Sequence, residues 1–203
     1  MKQIIVPGEV LSQSQVRMDN AYTEGGKTYA KVMGLYDDER KGIIPLEGPW
    51  KPRVDDMIVG IVSEEKNKVY EVDIGFFGRT LLIIGKFDRE SYKVGDVIEA
   101  SIKDIEDRKT IILTRARPLE GGTVMMVKPA KVPRVIGKAN TMVKQISEAA
   151  KTYIIVGMNG MVWMKGGNMA LAAEAIRKIE AEAHISGLTE RIKLMLEQNK
   201  QGN

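Results

Sequence analysis

Val132-Pro133-Arg134-Val135-Ile136-Gly137-Lys138-Ala139-Asn140-Thr141 places a glycine and a lysine between two helical signals. Val132 to Ile136 reads as a short helical turn. Thr141 to Ala150 reads as a helix, because Met142, Val143, Ile146, Ala149 and Ala150 share one apolar face. Lys128, Lys131, Arg134, Lys138 and Lys144 surround the junction. On either side the pattern continues. Thr123 to Lys128 is a strand, and Tyr153 to Val156 and Met161 to Met164 are two more, joined by Gly157-Met158-Asn159-Gly160. Asn168 caps a long helix, whose stripe is Met169, Ala172, Ile176, Ile179 and Ala183, with Glu174 and Lys178 supporting its outer face. Gly187 breaks that helix, and Leu188 to Gln198 forms a last amphipathic one.

The order strand, helix, helix, strand, strand, helix is that of a type I KH module, here with an extra C-terminal helix. In such a module a Gly-x-x-Gly loop between the first two helices brings backbone amides and helix N-termini up to a nucleic-acid backbone. Glycine is needed where a β-carbon would block that approach. Asn140 stands where the second glycine would be. Asparagine tolerates the left-handed conformation, so the turn survives while its side chain crowds the clamp. Arg134, Gly137, Lys138 and Lys144 are the candidate RNA contacts of this module; the plainer alternative is a loop that merely joins two helices. The stretch Gly157, Met158, Asn159, Gly160 reads as a hairpin turn built on its Asn-Gly pair. The alternative is that it packs this module against its neighbour.

The preceding segment, from Pro52 to Pro118, has the period of strands. Met57 to Val62 and Thr80 to Ile84 are apolar. Val69 to Ile74 sets Tyr70, Val72 and Ile74 against Glu71 and Asp73, and Val97 to Ile105 sets Ile98, Ala100 and Ile102 together. With Thr110 to Thr114 these make five short strands, a small closed barrel of the OB type. Such barrels stack bases on exposed aromatics beside a basic groove. Phe76, Phe77, Arg79, Lys86, Arg108 and Lys109 are the candidates here, the alternative being that the phenylalanines plug the barrel end or a subunit interface. Ahead of the barrel, a strand at Ile4 to Val6, a hairpin over Ala21 to Met33 turning at Gly25-Gly26, and a strand at Ile43 to Leu46 suggest a small β domain with little core of its own. The expected boundaries are 1–51, 52–118 and 119–203, a multidomain α+β chain.

The 203 residues carry a formal charge of +4, no cysteine and one histidine, His184. Thiolate chemistry, disulfides and cysteine-based zinc sites are therefore excluded, as is a histidine pair for acid–base work. No cofactor is expected. Asp37-Asp38-Glu39 and Asp55-Asp56 are the carboxylate clusters a metal-dependent nuclease would need, and both read as solvated loops. No apolar stretch is long enough to span a bilayer. A cytoplasmic protein with no membrane partner is the expectation.

The segments in succession resemble a known family, the RNA-binding cap subunits of the archaeal exosome, of the ribosomal-RNA-processing type. The resemblance rests on Val6-Pro7-Gly8-Glu9, Glu24-Gly25-Gly26-Lys27, Tyr29-Ala30-Lys31-Val32, Val72-Asp73-Ile74, Val132 to Lys138, Gly157 to Gly160 with Trp163, and Glu182 to Arg191. It implies an S1-type identity for the barrel and a non-catalytic role. It further implies three copies seated through their N-terminal domains on a hexameric ring of RNase PH-like subunits. Single-stranded RNA, adenine-rich tails included, would be guided to the ring's 3′-to-5′ phosphorolytic sites. Within the family, Gly157, Asn159 and Gly160 correspond to a structural turn. The chain departs from the family pattern at Asp55, where a glycine is usual, at Asn140, and in a shorter loop around Gly75-Phe76-Phe77-Gly78. A free-standing translation or transcription factor built from the same modules is the competing reading, ahead of a nuclease.

Overall fold

Alternating side chains along 57–118 close into a five-stranded barrel. A computed structural model of the chain describes residues 2–37, 42–85, 91–106, 110–183, 185 and 187–200. They form two compact units, 1–49 and 50–203.

In the first unit, two three-stranded sheets share a very small core. Strands β1 (Lys2–Ile5), β5 (Gly34–Asp37) and β6 (Gly42–Pro45) form one, in the order β1-β5-β6. Strands β2 (Val10–Ser12), β3 (Ala21–Glu24) and β4 (Lys27–Ala30) form the other, in the order β2-β4-β3. The hairpin signal at Gly25-Gly26 is realised: both glycines have positive φ, 55° and 80°, and Glu24 pairs with Lys27 across them. The strands β2 and β5 were not visible in the residue pattern, being three and four residues long without clear alternation. The polar stretch after β2 is held by one buried hydroxyl. Thr28 Oγ1 donates to Ser14 O at 2.8 Å and accepts from Val16 N at 2.9 Å. Ile5, Ala30 and Ile43 are the buried apolar residues at the centre.

The second unit begins with the barrel: β7 (Met57–Lys66), β8 (Val69–Asp73), β9 (Arg79–Ile83), β10 (Val97–Glu106) and β11 (Thr110–Pro118). The strand circuit is β7-β8-β9-β11-β10 and back to β7, antiparallel except for the parallel β9–β11 pair. Ile58, Tyr70, Val72, Ile98, Ile102 and Ile111 fill its interior, each branched aliphatic contributing roughly 1.5–3 kcal/mol by leaving water. Gly60 is required on β7. A β-carbon there would lie 2.5 Å from Val72 Cγ1 and 2.9 Å from Ile74 Cγ2.

The KH half follows as β12 (Thr123–Met126), α1 (Val132–Ile136), α2 (Thr141–Ala150), β13 (Tyr153–Val156), β14 (Met161–Lys165) and α3 (Met169–Glu182), with α4 (Leu188–Lys200) added. The sheet order is β12-β14-β13, all antiparallel. Alternation gives the sheet two apolar faces. Val162 and Met164 meet Ile146, Ala172 and Ile176 of the helices, while Met161, Trp163 and Ile155 meet Val59 and Leu119 on the barrel side. Asn168 caps α3 as its position demands, its Oδ1 accepting from Leu171 N at 3.0 Å.

Candidate nucleic-acid interface

Helix α1 ends at Gly137, whose φ of 75° and ψ of 171° lie outside the helical region. A β-carbon there would stand 2.7 Å from both the amide nitrogen and Cβ of Met142, the first buried residue of α2. Lys138, Ala139 and Asn140 then make a tight turn in which Ala139 (φ 51°) and Asn140 (φ 63°) are both left-handed. Asn140 therefore occupies the glycine-type conformation, and Thr141 Oγ1 closes the turn by donating to Lys138 O at 2.8 Å. Lys138, Ala139 and Asn140 are all exposed. Arg134, Lys138 and Lys144 are exposed as well, and none forms an ion pair among the described residues. Their charge is thus available to phosphate, whose oxygens they can meet with charge-assisted hydrogen bonds.

On the barrel, the two phenylalanines part company. Phe76 turns inward, half-buried, and meets Trp50 edge-on with ring centroids 6.3 Å apart. Phe77 projects fully into solvent, as a stacking platform must. Arg79 lies beside it in sequence but is shared with Glu71, its Nε 3.4 Å from Glu71 Oε2. Part of its charge is already matched, so it is the weaker phosphate ligand. Lys86, Arg108 and Lys109 fall outside the described residues, as do His184, Asp38 and Glu39.

The carboxylates at the barrel entrance are engaged in structure. Asp56 Oδ2 accepts from Trp50 Nε1 at 3.3 Å and from Arg53 N at 3.1 Å. Asp55 meets Arg115 at 3.0 Å. Asp55 has φ 68° and Arg115 φ 52°, so the position that carries glycine in the resembled family does adopt glycine's conformation here. Among the described residues no three His, Cys, Asp or Glu side chains converge as metal ligands would. No described helix is long and apolar enough to cross a membrane.

The stretch Gly157 to Gly160 is the hairpin turn between β13 and β14, though not of the two-residue type. Gly160 N donates to Gly157 O and Gly157 N to Met161 O, and the left-handed residue is Gly160 alone, at φ 91°. The connection is therefore a three-residue loop closed by a left-handed glycine, with Met158 and Asn159 at the turn's centre. This frees the Asn159 carboxamide to enter the barrel. Its Nδ2 donates to Val59 O at 2.7 Å and to Ile74 O at 2.9 Å, and its Oδ1 accepts from Val59 N at 3.3 Å. Strands β7 and β8 pair only as far as Ile61 and Asp73, so Val59 and Ile74 lie just past the end of that ladder. Asn159 satisfies the groups that the parting strands leave bare. Met158 N adds a bond to Met57 O at 2.8 Å. Gly157 must lack a β-carbon, which would meet Val59 N at 2.6 Å. The turn thus closes the hairpin and also packs the KH half against the barrel. A clue in the sequence was the run of apolar residues around an asparagine, since a buried amide needs partners beyond its own turn.

Comparison with known proteins agrees with this construction. A profile of the KH domain family matches residues 122–169. The chain is 38% identical to the protein named exosome complex component Rrp4 from Pyrococcus furiosus, covering 96% of this chain and 83% of that protein. It is 34% identical to the protein of the same name from Pyrobaculum aerophilum, covering 98% and 94%, and 34% identical to that from Picrophilus torridus, covering 100% and 96%. A crystal structure described with the words "exosome complex RNA-binding protein" superposes with a TM-score of 0.66 at 28% identity, covering 76% of this chain and 98% of that one. Shared sequence over nearly the full length, together with the barrel and KH architecture, places the chain in the family of exosome complex component Rrp4.

Proposed function

We propose that the chain is the RNA-binding cap component of an exosome. In this reading it performs no chemistry itself. Residues 1–51 anchor it to an RNase PH-like ring, residues 52–118 form an S1-type barrel that receives single-stranded RNA, and residues 119–203 form the KH module. Three copies on one ring would multiply weak contacts through effective concentration and deliver RNA, adenine-rich tails included, to 3′-to-5′ phosphorolytic sites. A soluble assembly of this kind belongs in the cytoplasm.

The observation that carries the reading is the left-handed turn after Gly137, with Lys138 to Asn140 exposed between two helices and flanked by Arg134, Lys138 and Lys144, which form no ion pair among the described residues. Phe77 supports it with a fully exposed ring on the barrel. The relatives' shared name supplies the exosome context. The test is affinity of the full chain for a single-stranded oligonucleotide across a salt series. The logarithm of affinity should fall with that of salt by about 0.7 per phosphate neutralised. An affinity indifferent to salt would count against the reading, and RNA degraded by the chain alone in Mg²⁺ would overturn the non-catalytic role.

A further inference from the structure

The barrel-side face of the KH sheet carries a second group of exposed side chains suited to a single strand. Tyr153 opens the edge strand β13, and its register partner on β14 is Lys165. Two residues along each strand, Ile155 and Trp163 point to the same side and are buried against the barrel. By alternation Tyr153 and Lys165 point that way too, away from the face that carries the helices. Beyond the buried contact they emerge into solvent: Tyr153 is 56% exposed, and Lys165 is exposed and forms no ion pair among the described residues.

This ring is oriented by its tryptophan neighbour. Trp163, itself 3% exposed, meets Tyr153 at 85° with centroids 5.8 Å apart. Trp163 is in turn fixed by its Nε1 donating to Gly121 O at 2.7 Å. From the barrel, the Arg117 guanidinium is held above its ordinary range chiefly by Glu99, with a smaller contribution from Tyr153. Arg117 is anchored by Glu99, whose side chain is 5% exposed, while the arginine side chain remains 57% exposed. Glu99 is thus sealed beneath its cation. Lys165 lies over the linker, where a β-carbon on Gly121 would be 3.7 Å from its Nζ.

An isolated exposed tyrosine means little. A tyrosine oriented by a buried tryptophan, open at a sheet edge, and paired in register with a solvent-facing lysine matches the stacking-plus-phosphate chemistry of single-strand sites. We infer that this face is a further single-strand RNA contact, with a base stacked on Tyr153 and a flanking phosphate met by Lys165. The inference rests on the RNA-binding function proposed above. It assigns to the face opposite the KH helices a role distinct from that of the Gly137 loop.

The full chain, titrated with a fluorescent oligoadenylate, tests it. Tyr153→Leu keeps an apolar contact for Trp163 but removes the platform; affinity should fall about five-fold to a hundred-fold. Lys165→Gln, at an exposed position, should lower the salt slope by about 0.7. Without any variant, RNA carrying 4-thiouridine should crosslink to the peptide containing Tyr153. Phe77→Ala serves as the comparison. If Phe77→Ala weakens binding while both sheet variants bind as the parent does and no crosslink forms at Tyr153, the inference is overturned and the proposed function stands. That outcome is also the one expected if the face docks a protein. If the parent chain binds no RNA at all, both fall.

Discussion

Replacing Asn159 with alanine should loosen the KH half from the barrel. The carboxamide donates two good hydrogen bonds, to Val59 O and Ile74 O, and accepts a longer one from Val59 N. The residue is 3% exposed. Its removal leaves these backbone groups beside a cavity, and each orphaned group costs roughly 1–3 kcal/mol. Counting only the two short bonds, the loss is about 2–6 kcal/mol, large among point substitutions. Asn159→Asp is a sharper probe, because it keeps the shape and reverses the hydrogen bonding. A buried carboxylate facing two carbonyls is disfavoured, so its pKa in the folded state rises above the unfolded value of about 3.9. Such a group's stability contribution is full below the unfolded pKa and is lost as pH rises through the folded one. Asn159→Asp should therefore lie nearer the parent in acid than at neutral pH. Urea unfolding followed by the fluorescence of Trp50 in the barrel and Trp163 in the KH sheet provides the assay. A loss under about 0.5 kcal/mol for Asn159→Ala, within the range of unremarkable surface changes, would refute the reasoning.

Phe77→Ala should weaken single-strand binding by about five-fold to a hundred-fold at an unchanged melting temperature, whereas Phe76→Ala should lower the melting temperature through its lost contact with Trp50. Gly137→Ala should destabilise the KH half by about 1–3 kcal/mol, read by calorimetry, since its β-carbon would collide with Met142 and its φ of 75° disfavours any side chain. At Asp55, glycine would relieve a left-handed backbone worth about 1–2 kcal/mol and forfeit an exposed ion pair worth at most about 1. Asp55→Gly should therefore melt slightly higher than the parent. Hydrogen bonds from Lys178 and Arg191 hold the Glu182 carboxyl below its ordinary value of 4.5. The contribution of a lowered carboxyl is present above its unfolded pKa and is lost as pH falls through the folded one. Melting curves of Glu182→Gln and the parent should thus differ at neutral pH and converge in acid.

The KH half is legible in the sequence because its helices repeat at 3.6 residues and its caps are of standard chemistry: Asn168 before α3, Gly137 after α1. The barrel is legible because Tyr70, Val72 and Ile74 alternate with charge. Short strands such as Val10–Ser12 and Gly34–Asp37 escape, since three or four residues carry no period and their place is set by partners distant in sequence. The site divides in the same way. Gly137 and Phe77 announce themselves through local composition. Whether a cation is free or already matched is a tertiary fact, so nothing local separates Lys138 from Arg79, which shares Glu71. Nor could composition show that Asn159 reaches the backbone of Val59 and Ile74, or that Arg117 pairs with Glu99.

The most direct test of the cap assignment is the mass of the intact assembly. Mixed with the RNase PH-like ring of its own source and analysed by native mass spectrometry, the chain should add three copies to each hexameric ring, and a chain lacking residues 1–49 should add none. A ring that remains bare in the presence of the full chain, or one that still takes up the shortened chain, would contradict the account.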